Sequence, residues 1–282
     1  MTNAVLRPPG PTIPGQYAEL QCKSNFSFLC GASHPEELAE QAAKLGYSAI
    51  AITDHNTLAG VVRMHCAAKA CKLKLIVGAE ITPVDATPIL LYATDRASYG
   101  RLARIITQGR LREVKGSCAI TLDDIAQWSE GLIAAIVSHP PSARAHAPTK
   151  NRGMSNVKCQ MFEQRPFDIR QSTFDNPSAL HRYRDIFGDR LYLAASVHGG
   201  PDDNHHLAEA DGLARQLGVP FLATNDVHYH EPRRRFLQDV LTCIRRGCTL
   251  QEAGNALFAN AERHLKPIHE MERLFRDHPD AV

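Results

Sequence analysis

The sequence lacks long hydrophobic runs and shows little excess of charge of either sign. Its longest apolar runs are broken within about ten residues, whereas a membrane-spanning helix needs roughly twenty. The chain opens on a Pro-rich stretch instead of the basic and then apolar pattern of a secretory signal. Lys and Arg total 32 against 30 Asp and Glu, a formal charge of +2 that is too balanced to indicate nucleic-acid binding from composition. We therefore expect a cytoplasmic protein with no membrane partner.

Cysteine pairs with a functional spacing are also absent. The chain has eight cysteines, and none of them form a C-x-x-C motif. Cys66 and Cys71 are five positions apart, as are Cys243 and Cys248, which suits neither a zinc knuckle nor a redox motif. We expect these residues to be reduced thiols that are buried in the fold.

What the sequence does contain is an alternation of strand-like and helix-like segments. Short apolar runs at 50–52, 75–79, 132–137, 191–197 and 221–224 have the length and composition of buried parallel strands. The segments between them carry the apolar stripes of amphipathic helices. This alternation predicts an α/β protein with a parallel sheet. A chain of 282 residues is long enough for a β/α barrel, which takes about 250 residues.

A histidine or an acidic residue stands at the end of each strand-like run. These residues are Asp54 and His55, Glu80, His139, His198, and Asp226 with His228. In a barrel of parallel strands the carboxyl ends converge on one rim, so residues far apart in sequence meet there. Imidazole and carboxylate groups are ligands of divalent metal ions. One loop histidine alone is more commonly hydrogen-bonded or solvent-facing, but the recurrence at five strand ends predicts a metal site.

Three parts of different composition predict the domain organisation. Residues 1–16 hold four prolines and two glycines and are predicted to be a flexible lead-in. Residues 17–232 carry the alternation, which is interrupted after His139 by a stretch rich in Pro, Lys, Arg and Asn at 143–154 that predicts a long loop. Residues 233–282 are predicted to form short helices without a further strand.

Several long motifs resemble the amino-terminal region of bacterial error-prone DNA polymerases. They are YAELQCKSNFSFLCGASHP from Tyr17, AITDHNTLAGVVR from Ala51, VGAE from Val77, TDRASYGRLARIIT from Thr94, ATNDVHYHEP from Ala223, and LQDVLTCIRRGCTL with LFANAERHLK near the end. These polymerases belong to family C, with the replicative polymerase III alpha subunit. The resemblance implies a PHP (polymerase and histidinol phosphatase) domain, a distorted (β/α)7 barrel with a metal cluster at its carboxyl rim, followed by the truncated helical start of the linker to the palm.

The resemblance also implies that the metal site has degenerated. The His-x-His pair that opens metal-binding PHP domains falls on Gln21 and Lys23, a later acid or histidine falls on Cys30, and a further histidine falls on Pro88. An ammonium group has no free lone pair and repels a cation, which makes Lys23 a poor ligand. The matching positions that remain are His55, Glu80, Asp226 and His228, with His139 close to another ligand position and His198 a weaker candidate. This set implies at most one divalent ion, zinc, manganese or magnesium, rather than the full three-metal cluster.

Three functions remain open from the sequence. The resemblance favours the PHP segment of a translesion-type polymerase associated with DNA damage, repair and replication. In that reading the segment is a structural platform without the palm aspartates of nucleotidyl transfer, its partner is the rest of the polymerase, and it reaches DNA only through that parent. The alternative is a stand-alone metal-dependent phosphoesterase of the histidinol phosphatase type. The third is an interaction module for other mutagenesis proteins, for which only the run Arg233-Arg234-Arg235 can be cited.

Overall fold

A seven-stranded sheet forms the centre of the computed structural model, which describes residues 17–138 and 177–282. The strands are β1 (Ala18–Glu19), β2 (Ala49–Ile52), β3 (Lys74–Ile81), β4 (Ile89–Ala93), β5 (Leu132–Ser138), β6 (Leu191–Ser196) and β7 (Phe221–Thr224). They lie side by side in chain order. The lead-in at 1–16, the loop at 143–154 and His139 lie outside the described residues.

The fourth strand runs opposite to its neighbours. β4 pairs antiparallel with β3 and with β5, and every other pair in the sheet is parallel. The prediction of a wholly parallel sheet is therefore wrong at β4. The reason is the short connection 82–88, because a parallel return needs a crossover of a dozen or more residues, whereas an antiparallel pair can be joined by a short loop.

The sheet closes on itself through the residues that follow β1. The backbone of Cys22 forms a parallel bridge with Val227, Lys23 N–H donates to the Val227 carbonyl at 2.8 Å, and Val227 N–H donates to the Gln21 carbonyl at 2.8 Å. On the other side, Thr53 N–H donates to the Cys22 carbonyl at 2.8 Å. The segment after β1 therefore joins both edges of the sheet, as the predicted distorted barrel requires.

Helices cover the outside of this barrel. They are α1 (Pro35–Lys44), α2 (Val61–Ala70), α3 (Arg96–Leu111), α4 (Leu122–Gln127), α5 (Pro177–Phe187) and α6 (Asp203–Leu217), and after β7 come α7 (Arg235–Arg246), α8 (Leu250–Ala253) and α9 (Ile268–Leu274). Of the helices in the described ranges, none combines the length and the apolar character needed to cross a bilayer.

Two layers of apolar side chains follow from the two-residue period of the strands. Ile50 and Ile52 pack in the outer core under the helices, whereas Ala51 lies in a separate inner cluster with Leu90, Tyr92, Ala135, Val137 and Ala194. Three of these six inner residues are alanines, which leaves room in a narrow interior. Because Cys22 also belongs to the outer core, Gln21 and Lys23 on either side of it point to the inside.

Gly78 of β3 lies opposite Tyr92 of β4, and a side chain at Gly78 is predicted to be costly. A Cβ atom on Gly78 would lie 2.7 Å from the Leu91 carbonyl oxygen and 2.8 Å from the Tyr92 ring. We expect Gly78→Ala to lower the free energy of unfolding by about 1–3 kcal/mol, as overpacking does. Gly100 in α3 is the matched control, because a Cβ there meets nothing within 4 Å. Gly100→Ala is expected to stabilise by roughly 0.5–1 kcal/mol. Urea titration of both variants measures the difference, and equal effects would contradict the packing argument.

Candidate functional site at the carboxyl rim of the barrel

The centre of the rim is occupied by the side chain of Lys23. Its Nζ lies 2.7 Å from Oε2 of Glu80 and 2.6 Å from Oδ1 of Asp226. The three side chains are 7%, 4% and 4% exposed, so the ion pairs are shielded from water. The ammonium group thus stands between the two carboxylates that were predicted to bind metal.

Glu80 is held from a second direction by Gln21. The Gln21 side-chain amide donates to Glu80 Oε2 at 3.1 Å, and its own carbonyl oxygen accepts from the Thr224 hydroxyl at 3.2 Å. Gln21 therefore bridges β3 and β7 across the barrel mouth. Gln21 and Lys23, the residues predicted to take the place of the His-x-His pair, thus both contact Glu80, through an amide and an ammonium.

Asp226 is held by two cations. Its second carboxylate oxygen, Oδ2, pairs with the guanidinium of Arg263, a residue of the segment between α8 and α9. Arg263 lies over the Phe258 ring, 4.4 Å from its centroid, and the ring of His228 meets Phe258 edge-on with centroids 5.0 Å apart. Asp226 has φ +43°, a left-handed backbone that Asp tolerates better than most residues. This backbone follows β7 directly at the closed edge of the sheet.

Opposite charges lie close together among the described residues of this cluster. Burial disfavours the charged carboxylate of Asp226, but Lys23 and Arg263 outweigh burial and hold its pKa well below the usual range. Burial likewise opposes the charge on Lys23, yet Asp226 and Glu80 raise its pKa above the ordinary value. Lys23 therefore keeps its proton at neutral pH and has no lone pair for a metal. Two positive groups face two negative groups.

Two of the predicted histidines, His55 and His228, are already hydrogen-bonded, and burial lowers the pKa of each. Nε2 of His55 lies 2.9 Å from the Thr82 hydroxyl, and burial lowers the pKa of His55 to about 4. Nδ1 of His228 lies 2.7 Å from the Cys30 carbonyl, while its Nε2 is 3.5 Å from Asp226 Oδ1. His55 and His228 therefore line the same rim as Glu80 and Asp226, with burial lowering the pKa of His228 as well.

The remaining predicted positions within the described residues contact other protein groups. Nε2 of His198, after β6, lies 3.2 Å from the Asn225 carbonyl, and burial lowers the pKa of this imidazole. Sγ of Cys30 lies 2.7 Å from the Arg245 guanidinium. Pro88 precedes the antiparallel β4, which places it at the rim, but only its carbonyl oxygen bonds there, accepting from Val137 N–H at 3.1 Å. His139 lies outside the described residues.

Asp54, next to His55, has a structural role in the loop after β1. Its Oδ1 accepts from the Ser24 backbone N–H at 2.7 Å and from the Ser27 hydroxyl at 2.6 Å. The Ser24 hydroxyl also donates to its Oδ2 at 2.8 Å. A Cβ on Gly60 would approach Asp54 Oδ2 to 2.6 Å, so the turn before α2 closes against this carboxylate.

The arrangement does not fit a metal cluster. Within residues 17–138 and 177–282, no group of three or more His, Cys, Asp or Glu side chains is placed to hold a metal ion. The chemistry of the donors gives the reason, because the space between Glu80 and Asp226 is taken by the Lys23 ammonium and Asp226 is also paired with Arg263.

Sequence reasoning missed Arg263. This residue lies in LFANAERHLK, a motif that carried the resemblance but contained no signal for a buried charge. Arg263 is only 5% exposed, and its backbone carbonyl accepts from His228 N–H at 3.0 Å. A long-range contact of this kind becomes visible only when the segment after α8 is placed on the barrel.

Comparison with known proteins agrees with the fold. The PHP domain family matches residues 19–196, and the chain belongs to that family. Two solved structures resemble the fold at a distance. A protein described as a metal-dependent phosphoesterase from Bifidobacterium adolescentis has a TM-score of 0.46 at 17% identity, covering 76% of this chain and 88% of that one. An amidohydrolase from Chromobacterium violaceum has a TM-score of 0.49 at 16% identity, covering 75% and 87%.

The chain's sequence relatives include bacterial error-prone DNA polymerases. It is 44% identical over 270 residues to the error-prone DNA polymerase of Caulobacter vibrioides, and 39% identical over 267 residues to that of Rhodopirellula baltica. Each match covers 95% of this chain and 22% of the relative, in its N-terminal part. The chain thus spans about a fifth of the length of these relatives, and the predicted resemblance is confirmed.

Proposed function

We propose that this PHP domain is a structural platform within an error-prone DNA polymerase and that it has no metal-dependent phosphoesterase activity. The observation that carries the proposal is the Lys23 ammonium, 2.7 Å from Glu80 and 2.6 Å from Asp226 in the buried rim of the barrel. The size of the polymerase relatives supports the platform role, since the matched region is only 22% of their length.

Clustered-metal hydrolysis needs carboxylates that are free to bind cations on the side where the phosphoryl group enters. Here both carboxylates are already neutralised by side chains of the chain itself. Replacing a hydrogen-bonded ammonium with a metal would also leave Lys23 as a buried charge without its partners, which costs several kcal/mol. The rim is therefore proposed to be a charge-balanced core rather than a catalytic centre, without even the one zinc, manganese or magnesium ion that the sequence leaves open.

The proposal includes a division of the chain at Pro232. Residues 17–232 form the barrel, and 233–282 are the beginning of the helical region that leads to the palm. The contacts that tie this extension to the barrel include Arg263 with Asp226, the Lys266 ammonium with the Asn225 side-chain oxygen at 2.8 Å, and the Tyr47 hydroxyl with the Lys266 carbonyl at 2.6 Å. The extension thus supplies one of the two cations of the rim.

We assign translesion synthesis, repair of damaged DNA and contact with DNA to the longer polymerase. We place that polymerase in the cytoplasm. Nucleotidyl transfer is not assigned to this region. The alternative of a stand-alone phosphoesterase is disfavoured by Lys23. The Arg233-Arg234-Arg235 run gives no support to a separate interaction module, because Arg234 pairs with Glu37 and Arg235 donates to the Phe258 carbonyl at 2.9 Å.

Metal analysis and a hydrolysis assay test this proposal. We expect the purified 282-residue chain to hold substoichiometric zinc and manganese. We also expect it not to hydrolyse p-nitrophenyl phosphate or bis-p-nitrophenyl phosphate above the buffer rate when manganese or zinc is added. The Asp226→Ala variant is the control for contaminating enzymes. Turnover by the wild-type chain that is lost in Asp226→Ala would overturn the proposal.

A further inference from the structure

The helix α7 is oriented with its polar side toward the barrel and much of its apolar side toward solvent. Its buried residues are Gln238, Thr242 and Cys243. The Thr242 hydroxyl donates to the Gln238 carbonyl at 2.9 Å, within the helix. A surface helix ordinarily buries its apolar stripe, so this orientation needs an explanation.

The outward apolar residues form one continuous stripe. Phe236 is 68% exposed, Leu237 38% and Ile244 60%, and Val240 and Leu241 between them are half-buried. Positions 236, 237, 240, 241 and 244 share one face of a helix. We call these five residues the α7 stripe.

The α7 stripe differs from other exposed apolar residues of the protein. Leu111 and Val114, which are 80% and 75% exposed, stand near the end of α3 among charged neighbours. Scattered apolar residues of that kind are ordinary on protein surfaces, whereas a contiguous patch marks an interaction site.

The charges at the carboxyl end of the α7 stripe are positive. Arg245 and Arg246 are exposed there, whereas Arg233 at the other end pairs with Glu231 at 2.9 Å. The one acidic residue of the helix, Asp239, is only 15% exposed in its side chain and lies 3.6 Å from Arg235. An occupant that matches this surface has an apolar centre and acidic residues at its edge.

We propose that the α7 stripe is the docking face for the part of an error-prone polymerase that lies beyond the matched N-terminal region. This inference rests on the proposed function. The occupant is large enough to cover the α7 stripe. The matched region is 22% of the Caulobacter vibrioides relative, so more than three-quarters of that polymerase lies outside it. The helix that carries the stripe is also joined to the barrel directly, since Arg234 at its start pairs with Glu37 of α1 and Arg245 donates to Cys30 Sγ at 2.7 Å. A group docked on α7 is thereby fixed relative to the barrel.

Hydroxyl-radical footprinting of unmutated side chains provides the first test. The isolated 282-residue chain is compared with an active chimaera in which it replaces the matched region of the Caulobacter vibrioides polymerase, with both monomeric by analytical ultracentrifugation. We expect Phe236 and Ile244 to react in the isolated chain and to be protected at least about fivefold in the chimaera, as burial in an interface requires. Leu111 and Val114 are the internal reference and should react equally in both. Equal reactivity of Phe236 in the two proteins would overturn the docking proposal. Protection of Phe236 in a dimer of the isolated chain would also overturn it, because the occupant would then be a second copy of this chain.

Charge introduced into the stripe provides the second test. We expect Phe236→Glu combined with Ile244→Glu to leave the melting temperature of the isolated chain unchanged and to reduce primer extension by the chimaera at least about tenfold. The double variant Leu111→Glu with Val114→Glu is the matched control and should change neither the melting temperature nor primer extension. Full primer extension by the α7 variant would contradict the proposal. That failure would leave the metal and hydrolysis assays of the isolated chain unaffected, so it is distinguishable from a failure of the proposed function.

Discussion

Replacing Lys23 by methionine is expected to lower the free energy of unfolding by about 3–5 kcal/mol, the range found when one member of a buried ion pair is removed. The ammonium contacts Glu80 and Asp226, and all three side chains are shielded from water. After the substitution Arg263 still pairs with Asp226, whereas Glu80 loses the ammonium that lies 2.7 Å from its Oε2. Glu80 then either stays charged in the interior or takes up a proton, and both cost stability.

Urea-induced unfolding at neutral pH measures this effect, with a chelator present so that no adventitious metal replaces the ammonium. Arg63→Met is the control, because Arg63 pairs with Glu36 at 2.7 Å but is 48% exposed in its side chain. That pair is expected to contribute less than about 1 kcal/mol. The double variant Lys23→Met with Glu80→Gln removes one charge of each sign and should recover a large part of the loss. If Lys23→Met cost no more than Arg63→Met, the rim would not be a charge-balanced core.

The second large effect concerns pH and Glu19. This carboxyl is fully buried, and it accepts from the backbone N–H of Gln21 at 2.9 Å, from that of Asn225 at 3.3 Å and from the Tyr17 hydroxyl at 2.9 Å. Burial raises the pKa of Glu19 from 4.5 to about 7, and the hydrogen bonds only partly oppose it. The folded state therefore binds a proton more tightly than the unfolded chain does. The contribution of Glu19 to stability is fully present below pH 4.5 and is lost as the pH rises through 7.

The expected loss is about 3 kcal/mol, since each unit of pKa difference corresponds to roughly 1.4 kcal/mol. Glu19→Gln does not titrate and fits the same hydrogen bonds, because its side-chain oxygen accepts from the two N–H groups and the Tyr17 hydroxyl accepts from its amide. We expect this variant to gain stability over the wild-type protein progressively between about pH 5 and pH 8.

The free energy of unfolding of Glu19→Gln and of the wild-type protein is measured by chemical unfolding at several pH values. The difference between the two free energies, plotted against pH, isolates the titration of Glu19. The control is Glu40→Gln in α1, which makes the same chemical change at an exposed position. A pH-independent difference for Glu19→Gln would show that Glu19 remains ionised in the fold.

Much of the architecture follows from local patterns. Apolar strand-length runs that alternate with amphipathic helices lead to a barrel because each element must bury an apolar face. The prediction failed at β4, where the short 82–88 connection and an antiparallel pairing replace a crossover. The composition of 89–93 contains no sign of the strand direction. The length of the 82–88 connection does, because it is too short for a parallel crossover.

For the candidate site, too, some features follow from the sequence and others only from the tertiary structure. Sequence alone placed His55, Glu80, Asp226 and His228 at the ends of strand-like runs, because strand patterning is a local property. The resemblance to the polymerase family, and not the patterning, aligned Gln21 and Lys23 with the His-x-His pair. Only the tertiary structure shows that the Lys23 ammonium contacts both Glu80 and Asp226, and that the Arg263 guanidinium pairs with Asp226 as a second cation. The physical reason is that charge balance in a buried site depends on distances between residues some 200 positions apart, such as Lys23 and Asp226, and these distances exist only once the barrel has closed.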